Sequence, residues 1–85
     1  MELTAIYRCV AALDVQQSKL TVCILYENEF GEIITELKEF GGFKRDRRAM
    51  ADWVASFQPE LVVMESTGIY WKSPYAALEK QGLTI

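Results

Sequence analysis

The pattern of apolar and polar residues along the chain predicts strands followed by alternating helices and strands. A near-continuous apolar stretch at residues 10–13 predicts a buried central strand over residues 6–14. Residues 20–26 and 32–40 are predicted to form two further strands, joined by a glycine-containing turn at residues 28–31 that suits a hairpin. Three consecutive strands therefore open the chain.

The periodicity changes after the two glycines at residues 41–42. Apolar side chains then recur at helical spacing, at Met50, Trp53, Val54 and Phe57. This spacing predicts a helix over residues 46–57 that ends before Pro59, because the residue before a proline disfavours helical geometry.

The remaining elements follow from a second apolar run and from capping signals. Residues 60–64 are predicted to be a fourth strand, and Ser73 is predicted to cap a second helix that ends at Gly82. Residues 83–85 have the composition of a fifth strand just beginning. The predicted order is βββαβαβ, which forms an α/β mixed sheet if the fourth strand lies parallel to the first.

Composition limits the classes of protein to consider. Eighty-five residues make one small domain, and no apolar run is long enough to span a bilayer, so we expect a cytoplasmic protein. The chain contains no histidine, which excludes Ser-His, Cys-His and Cys/His zinc chemistry. Its two cysteines are expected to be buried free thiols, and any chemistry must rest on carboxylates, hydroxyls, lysines and metal.

Two carboxylates occupy equivalent places in the pattern. Asp14 and Glu65 each come at the end of an apolar strand, and a parallel pairing of those strands would bring them to one edge of the sheet. Two neighbouring carboxylates repel unless a proton or cation intervenes, and hard ions such as Mg²⁺ prefer oxygen ligands of this kind. The alternative is that each acid hydrogen-bonds to the turn that follows it.

The sequence also contains candidate contacts to nucleic acid, although the net charge of −3 argues mildly against an autonomous nucleic-acid binder. Lys19 follows the first strand, Lys44 and Arg45 open the basic run at residues 44–48, and Thr67 follows Glu65. The alternative for the basic residues is a solvated helix face, and for Thr67 a role in the turn.

Two segments resemble a known family of recombinases. Leu13-Asp14-Val15 followed by Ser18-Lys19 resembles the opening strand of the DEDD transposases of the insertion sequence 110 family, also called the Piv/MooV recombinases. Residues 63–71 resemble that family more specifically, since its second acid sits in a Glu-x-Thr-Gly-x-Tyr-Trp pattern. The resemblance covers the chain from about Tyr7 to Ile85.

The resemblance implies an RNase H-like (RuvC-like) α/β fold, with residues 1–85 as the N-terminal part of a longer protein, truncated at the fifth strand. It implies that Asp14 and Glu65 are the first two catalytic acids of the DEDD tetrad and bind Mg²⁺ or Mn²⁺ during DNA strand cleavage and transfer. The other two acids come later in the family pattern, so we expect weak metal binding and no turnover from this piece alone. The implied partners are DNA (insertion-sequence ends and target), a guide RNA in some members, and further copies of the protein.

Two other functions are compatible with the pattern. Actin-like and sugar-kinase folds also open with a strand, an aspartate and a hairpin, but their first turn is glycine-rich, and residues 15–18 contain no glycine. A non-catalytic α/β interaction or dimerisation module would use an unpaired sheet edge and the aromatic side chains of Tyr70 or Trp71.

Overall fold

The computed structural model describes residues 7–85, and these form four strands and two helices. In chain order they are β1 (Cys9–Val15), β2 (Lys19–Glu27), β3 (Ile33–Gly41), α1 (Lys44–Ser56), β4 (Leu61–Ser66) and α2 (Lys72–Glu79). The predicted α/β class and the order of these six elements are confirmed. The predicted start of the first strand, Ile6, lies outside the described residues.

The four strands form one mixed sheet in the order β3-β2-β1-β4. The first three strands make the predicted antiparallel meander, and β4 lies parallel to β1. Consequently β1, β3 and β4 run in the same direction, and their carboxyl ends meet at one edge of the sheet, here called the carboxyl edge. Both helices begin at this edge, since α1 follows β3 and α2 follows β4.

The two helices cover one face of the sheet. Alternate strand residues point to that face, so Leu13 and Val15 of β1 pack with Val22 of β2 and with the apolar side of each helix. The helices contribute Met50, Val54 and Leu78, which are essentially inaccessible to solvent. Full burial of such a side chain stabilises a fold by about 1.5–3 kcal/mol. The other face, here called the open face, has no helix over it among residues 7–85.

Helix α1 begins two residues earlier than its periodicity predicts, at Lys44. The reason is a reciprocal cap: the backbone amide of Phe43 donates to the Asp46 carboxylate at 3.0 Å, and the Phe43 carbonyl accepts from the Asp46 amide at 2.9 Å. The helix ends at Ser56 because Gln58 adopts a positive φ of 51° immediately before Pro59.

The second half of the sheet departs from the prediction in three places. Strand β4 continues to Ser66, two residues further than predicted, so Glu65 lies within the strand. Helix α2 begins at Lys72 with Trp71 as its N-cap, so Ser73 is an internal residue and the prediction that it caps the helix is wrong. Residues 83–85 form no strand, although the amide of Val62 donates to the Thr84 carbonyl at 2.9 Å along the outer edge of β4.

Both cysteines are free thiols. Cys9 is buried in the core, as predicted, whereas Cys23 is half-buried because it points to the open face. Within residues 7–85, no helix has the length and apolar character needed to cross a membrane.

Candidate metal centre and adjoining basic clefts

Asp14 and Glu65 are paired in register across the parallel strands β1 and β4. Adjacent strands lie about 4.8 Å apart, and in-register residues of a parallel pair point to the same face. Asp14 lies between the buried Leu13 and Val15, so its side chain points to the open face, and Glu65 points there with it. The two acids predicted from the sequence are therefore neighbours at the carboxyl edge.

Both carboxylates are exposed. If their role were structural, they would accept hydrogen bonds from the turns that follow them, but other groups accept those bonds. The amide of Gln16 donates to the Lys19 carbonyl at 3.0 Å, and the amide of Thr67 donates to the Val15 carbonyl at 3.1 Å. Within residues 7–85, neither acid accepts a hydrogen bond. The exposed pair thus keeps its oxygen lone pairs available to an external partner.

The donor set fits a hard divalent cation but does not complete its shell. Mg²⁺ takes six oxygen ligands and is commonly held by one or two carboxylates, with water and substrate phosphate in the other positions. In the part of the chain that the structure describes, no group of three or more His, Cys, Asp or Glu side chains is placed to hold a metal ion. Asp14 and Glu65 are therefore two carboxylates of a site whose remaining positions would be filled by water, substrate or other groups.

The ladder adds two residues that the sequence pattern does not single out. Thr21 of β2 is paired with Asp14, and Glu39 of β3 is paired with Thr21, so all four side chains form one row across the open face. Glu39 is two strands from Asp14, about 10 Å away, which is too far to share an ion with it. Thr21 is the strand neighbour of Asp14 on the side away from Glu65, and only the hairpin register could have identified it.

The four predicted nucleic-acid contacts are not brought to one place. Lys19 is exposed at the start of β2, two residues from Thr21 and on the same side of the strand. Lys44 and Arg45 lie in the first turn of α1, where the Arg45 guanidinium stacks over the Phe43 ring at 5.3 Å. Thr67 follows β4 and is exposed, with its amide bonded to β1.

Two clefts adjoin the helices. The first, of about 310 Å³, lies at the carboxyl edge and contains Lys19, Arg47 and Lys72. The second, of about 450 Å³, lies between α1 and α2 and contains Lys44, Arg47, Arg48 and Lys80. Arg47 and Ser73 belong to both, so the clefts adjoin, and we call them together the basic groove.

The sequence pattern points to Lys19 and Lys44 of this groove but not to Lys72 and Lys80. The missing information is tertiary: Lys72 and Lys80 are about 30 residues from the basic run, and only the packing of α2 against α1 brings them together. Comparison with protein-family models and with curated proteins finds no match for this chain.

Proposed function

We propose that this chain is the N-terminal part of a DEDD transposase domain with an RNase H-like fold, and that it supplies two carboxylates to a divalent-metal centre acting on DNA. The observation that carries the proposal is the in-register pairing of Asp14 with Glu65 at the carboxyl edge. Ligands of open α/β sheets bind beyond the carboxyl ends of the strands. The strand order β3-β2-β1-β4 and the family-like residues around Glu65 support the same assignment.

The residues have separate roles in this proposal. Asp14 and Glu65 would hold Mg²⁺ or Mn²⁺ on the open face, with water and a DNA phosphate as the remaining ligands. The bound ion supplies charge neutralisation at the phosphate and an activated water at neutral pH. Because a two-metal phosphodiester centre needs more than two acids, the chain alone would bind metal weakly and would not turn over; the remaining acids would come from elsewhere in a complete transposase.

Manganese line-broadening tests the metal centre directly. In ¹⁵N–¹H spectra of the 85-residue chain, paramagnetic Mn²⁺ should first broaden the amide signals of residues 13–15 and 64–66. The Asp14→Asn and Glu65→Gln variants should lose this broadening, whereas Glu39→Gln, which removes a charge from the same row, should keep it. Broadening that is scattered over the acidic surface, or that survives in both site variants, would overturn the proposal.

In a complete transposase, Asp14→Ala or Glu65→Ala should abolish excision while leaving the fold intact. Excision at the wild-type level by either variant would contradict the assignment of these acids. ATP-dependent stabilisation of the chain would instead favour the sugar-kinase alternative.

A second candidate function is dimerisation through the edge of β4. Within residues 7–85, the edge of β4 that faces away from β1 makes one backbone hydrogen bond, from the Val62 amide to the Thr84 carbonyl. A shallow depression of about 610 Å³ beside it is lined by Leu61, Trp71, Tyr75 and Ile85, and Trp71 is 40% exposed. Unpaired edges next to apolar side chains favour pairing with another chain. Sedimentation equilibrium of wild type and Trp71→Ala would test this, since a monomeric wild type excludes it.

A further inference from the structure

The basic groove concentrates most of the positive charge of an acidic protein. The chain has nine Lys and Arg residues against twelve Asp and Glu. Six of the nine line the groove, namely Lys19, Lys44, Arg47, Arg48, Lys72 and Lys80. Among the described residues that line it, Asp52 is the one carboxylate, and its Oδ1 accepts a hydrogen bond from Gln81 Nε2 at 2.6 Å.

This segregation is unfavourable for the isolated fold. Six cations on two adjoining clefts repel one another, and although acids outnumber bases in the whole chain, Asp52 is the one carboxylate among the described residues that line these clefts. A solvated helix face would not explain the arrangement, because the six residues come from β2, α1, α2 and the C-cap of α2 and converge only in the folded structure. The arrangement suits a polyanion.

Backbone geometry adds to the positive potential. Helices α1 and α2 both begin at the carboxyl edge, and each helix N-terminus carries a partial positive charge of about half an elementary charge. Arg47 Nη1 donates a hydrogen bond to the Gly42 carbonyl at 2.8 Å. This bond holds one guanidinium at the junction of the two clefts.

Lys19 connects the groove to the acid pair. It lines the first cleft, and because strand side chains alternate, it lies on the same side of β2 as Thr21, the ladder partner of Asp14. A flexible phosphodiester chain can therefore pass from the open face over the carboxyl edge into the groove. A rigid duplex would have to bend sharply at this edge, so a single strand fits better.

We propose that the basic groove binds the sugar-phosphate backbone of a single DNA strand that continues to or from the Asp14–Glu65 centre. The identity of the strand as DNA rests on the proposed function, whereas the binding of phosphates by the groove needs no metal. Lys72, Arg48 and Lys80 then contact phosphates, and Arg45, which stacks on Phe43 outside the groove, does not.

Fluorescence anisotropy of a labelled twelve-nucleotide oligodeoxythymidylate, in EDTA and about 50 mM salt, tests this groove. Loss of one phosphate contact should weaken binding about eightfold at this salt and reduce the slope of log K against log salt by about 0.7. We expect this for Lys72→Gln and for Arg48→Gln. Arg45→Gln is the matched control for Arg48→Gln, since both remove one arginine charge from the same helix, and its affinity should stay within twofold of wild type.

The outcomes separate the groove from the metal centre. Equal losses of affinity in Arg45→Gln and Arg48→Gln would mean that the oligonucleotide responds only to the overall charge of the protein. That result would overturn the groove proposal, and so would an absence of binding by the folded wild type. The Asp14→Asn/Glu65→Gln double variant should bind the oligonucleotide in EDTA at least as well as wild type. If that variant binds but wild type shows no site-specific manganese broadening, the groove stands and the metal centre fails.

Discussion

Asp14 and Glu65 face each other across the parallel pairing of β1 and β4, and both carboxylates are exposed on the open face. Like charges directly opposite each other in a sheet are destabilising. A neutral residue at either position would stabilise the sheet better. Because the two acids destabilise the sheet unless a cation binds, the pair indicates a role other than folding.

The first prediction is that metal reverses the order of stability of wild type and Asp14→Asn. In EDTA at neutral pH, Asp14→Asn should raise the free energy of unfolding by a few tenths of a kcal/mol, because it removes the repulsion from Glu65. With Mn²⁺ at ten times its dissociation constant, wild type should gain about 1.4 kcal/mol, since the ion binds only the folded state, and the variant should gain nothing. Urea unfolding followed by circular dichroism, in EDTA and in MnCl₂, measures both.

Glu39→Gln is the control for this prediction, because it removes the same charge from the same row but two strands away from Asp14. It should keep the stabilisation by Mn²⁺. A manganese effect of equal size in Asp14→Asn and wild type would contradict a site at this pair.

The second prediction concerns the core between sheet and helices. Leu78 is completely buried in α2, whereas Leu37 of β3 is 70% exposed on the open face. Leu78→Ala should lower the free energy of unfolding by about 2–5 kcal/mol, through lost burial and the cavity left behind. Leu37→Ala makes the same chemical change and should cost less than about 1 kcal/mol. Comparable losses for the two variants would mean that the open face is covered by a partner in solution.

The third prediction couples Gly41 to the cap of α1. A Cβ added at Gly41 would lie 2.7 Å from Asp46 Oδ2, so Gly41→Ala must displace the carboxylate that accepts the Phe43 amide. Asp46→Ala, which removes the cap, should cost about 0.5–2 kcal/mol. If Gly41→Ala acts mainly through the cap, the double variant should be no less stable than Asp46→Ala alone.

Denaturant unfolding of the four proteins in this double-mutant cycle measures the coupling. Additive losses would show that Gly41 is required for a reason other than Asp46. Gly42→Ala offers a comparison, since its Cβ would meet the backbone of Gln17 and Ser18 at 3.3 Å and should not respond to Asp46→Ala.

The sequence predicts the sheet well because its signals are local. Apolar alternation and the turn at residues 28–31 give the meander, and Asn28 Oδ1 closes that turn by accepting from the Phe30 and Glu32 amides at 2.9 Å. The pairing of Asp14 with Glu65 also follows from strand order and direction, since a parallel neighbour must bring both carboxyl ends to one edge.

The errors lie at the boundaries of two elements. Ser73 has the composition of a cap, yet the helix begins at Lys72, where the Trp71 carbonyl already accepts from the Tyr75 amide at 2.9 Å. Glu65 lies inside β4 because the ladder with β1 extends to Ser66. The sequence indicates single basic residues of the groove but not the groove itself, because Arg47 and Lys72 belong to different helices and meet only through the packing of α2 on α1.

The last prediction concerns the pH dependence that Cys9 imposes. Burial raises the pKa of the Cys9 thiol above its usual range, and the nearby Glu60 carboxylate raises this pKa further. The thiol donates to the Phe57 carbonyl with Sγ 3.6 Å from the oxygen, which also favours the protonated form. As the pH rises through the usual pKa of a thiol, about 8.5, the unfolded chain loses this proton first. The unfolded state then binds fewer protons, so stability must fall as the pH rises toward the folded pKa. The difference in unfolding free energy between wild type and Cys9→Ala should therefore be constant up to about pH 8 and shrink from about pH 9 upward.

Cys23→Ala is the control, because Cys9 remains in it, and its stability should follow the wild-type pH profile. A difference between wild type and Cys9→Ala that stays constant through pH 10 would show that the Cys9 thiol ionises as readily in the folded chain as in the unfolded one.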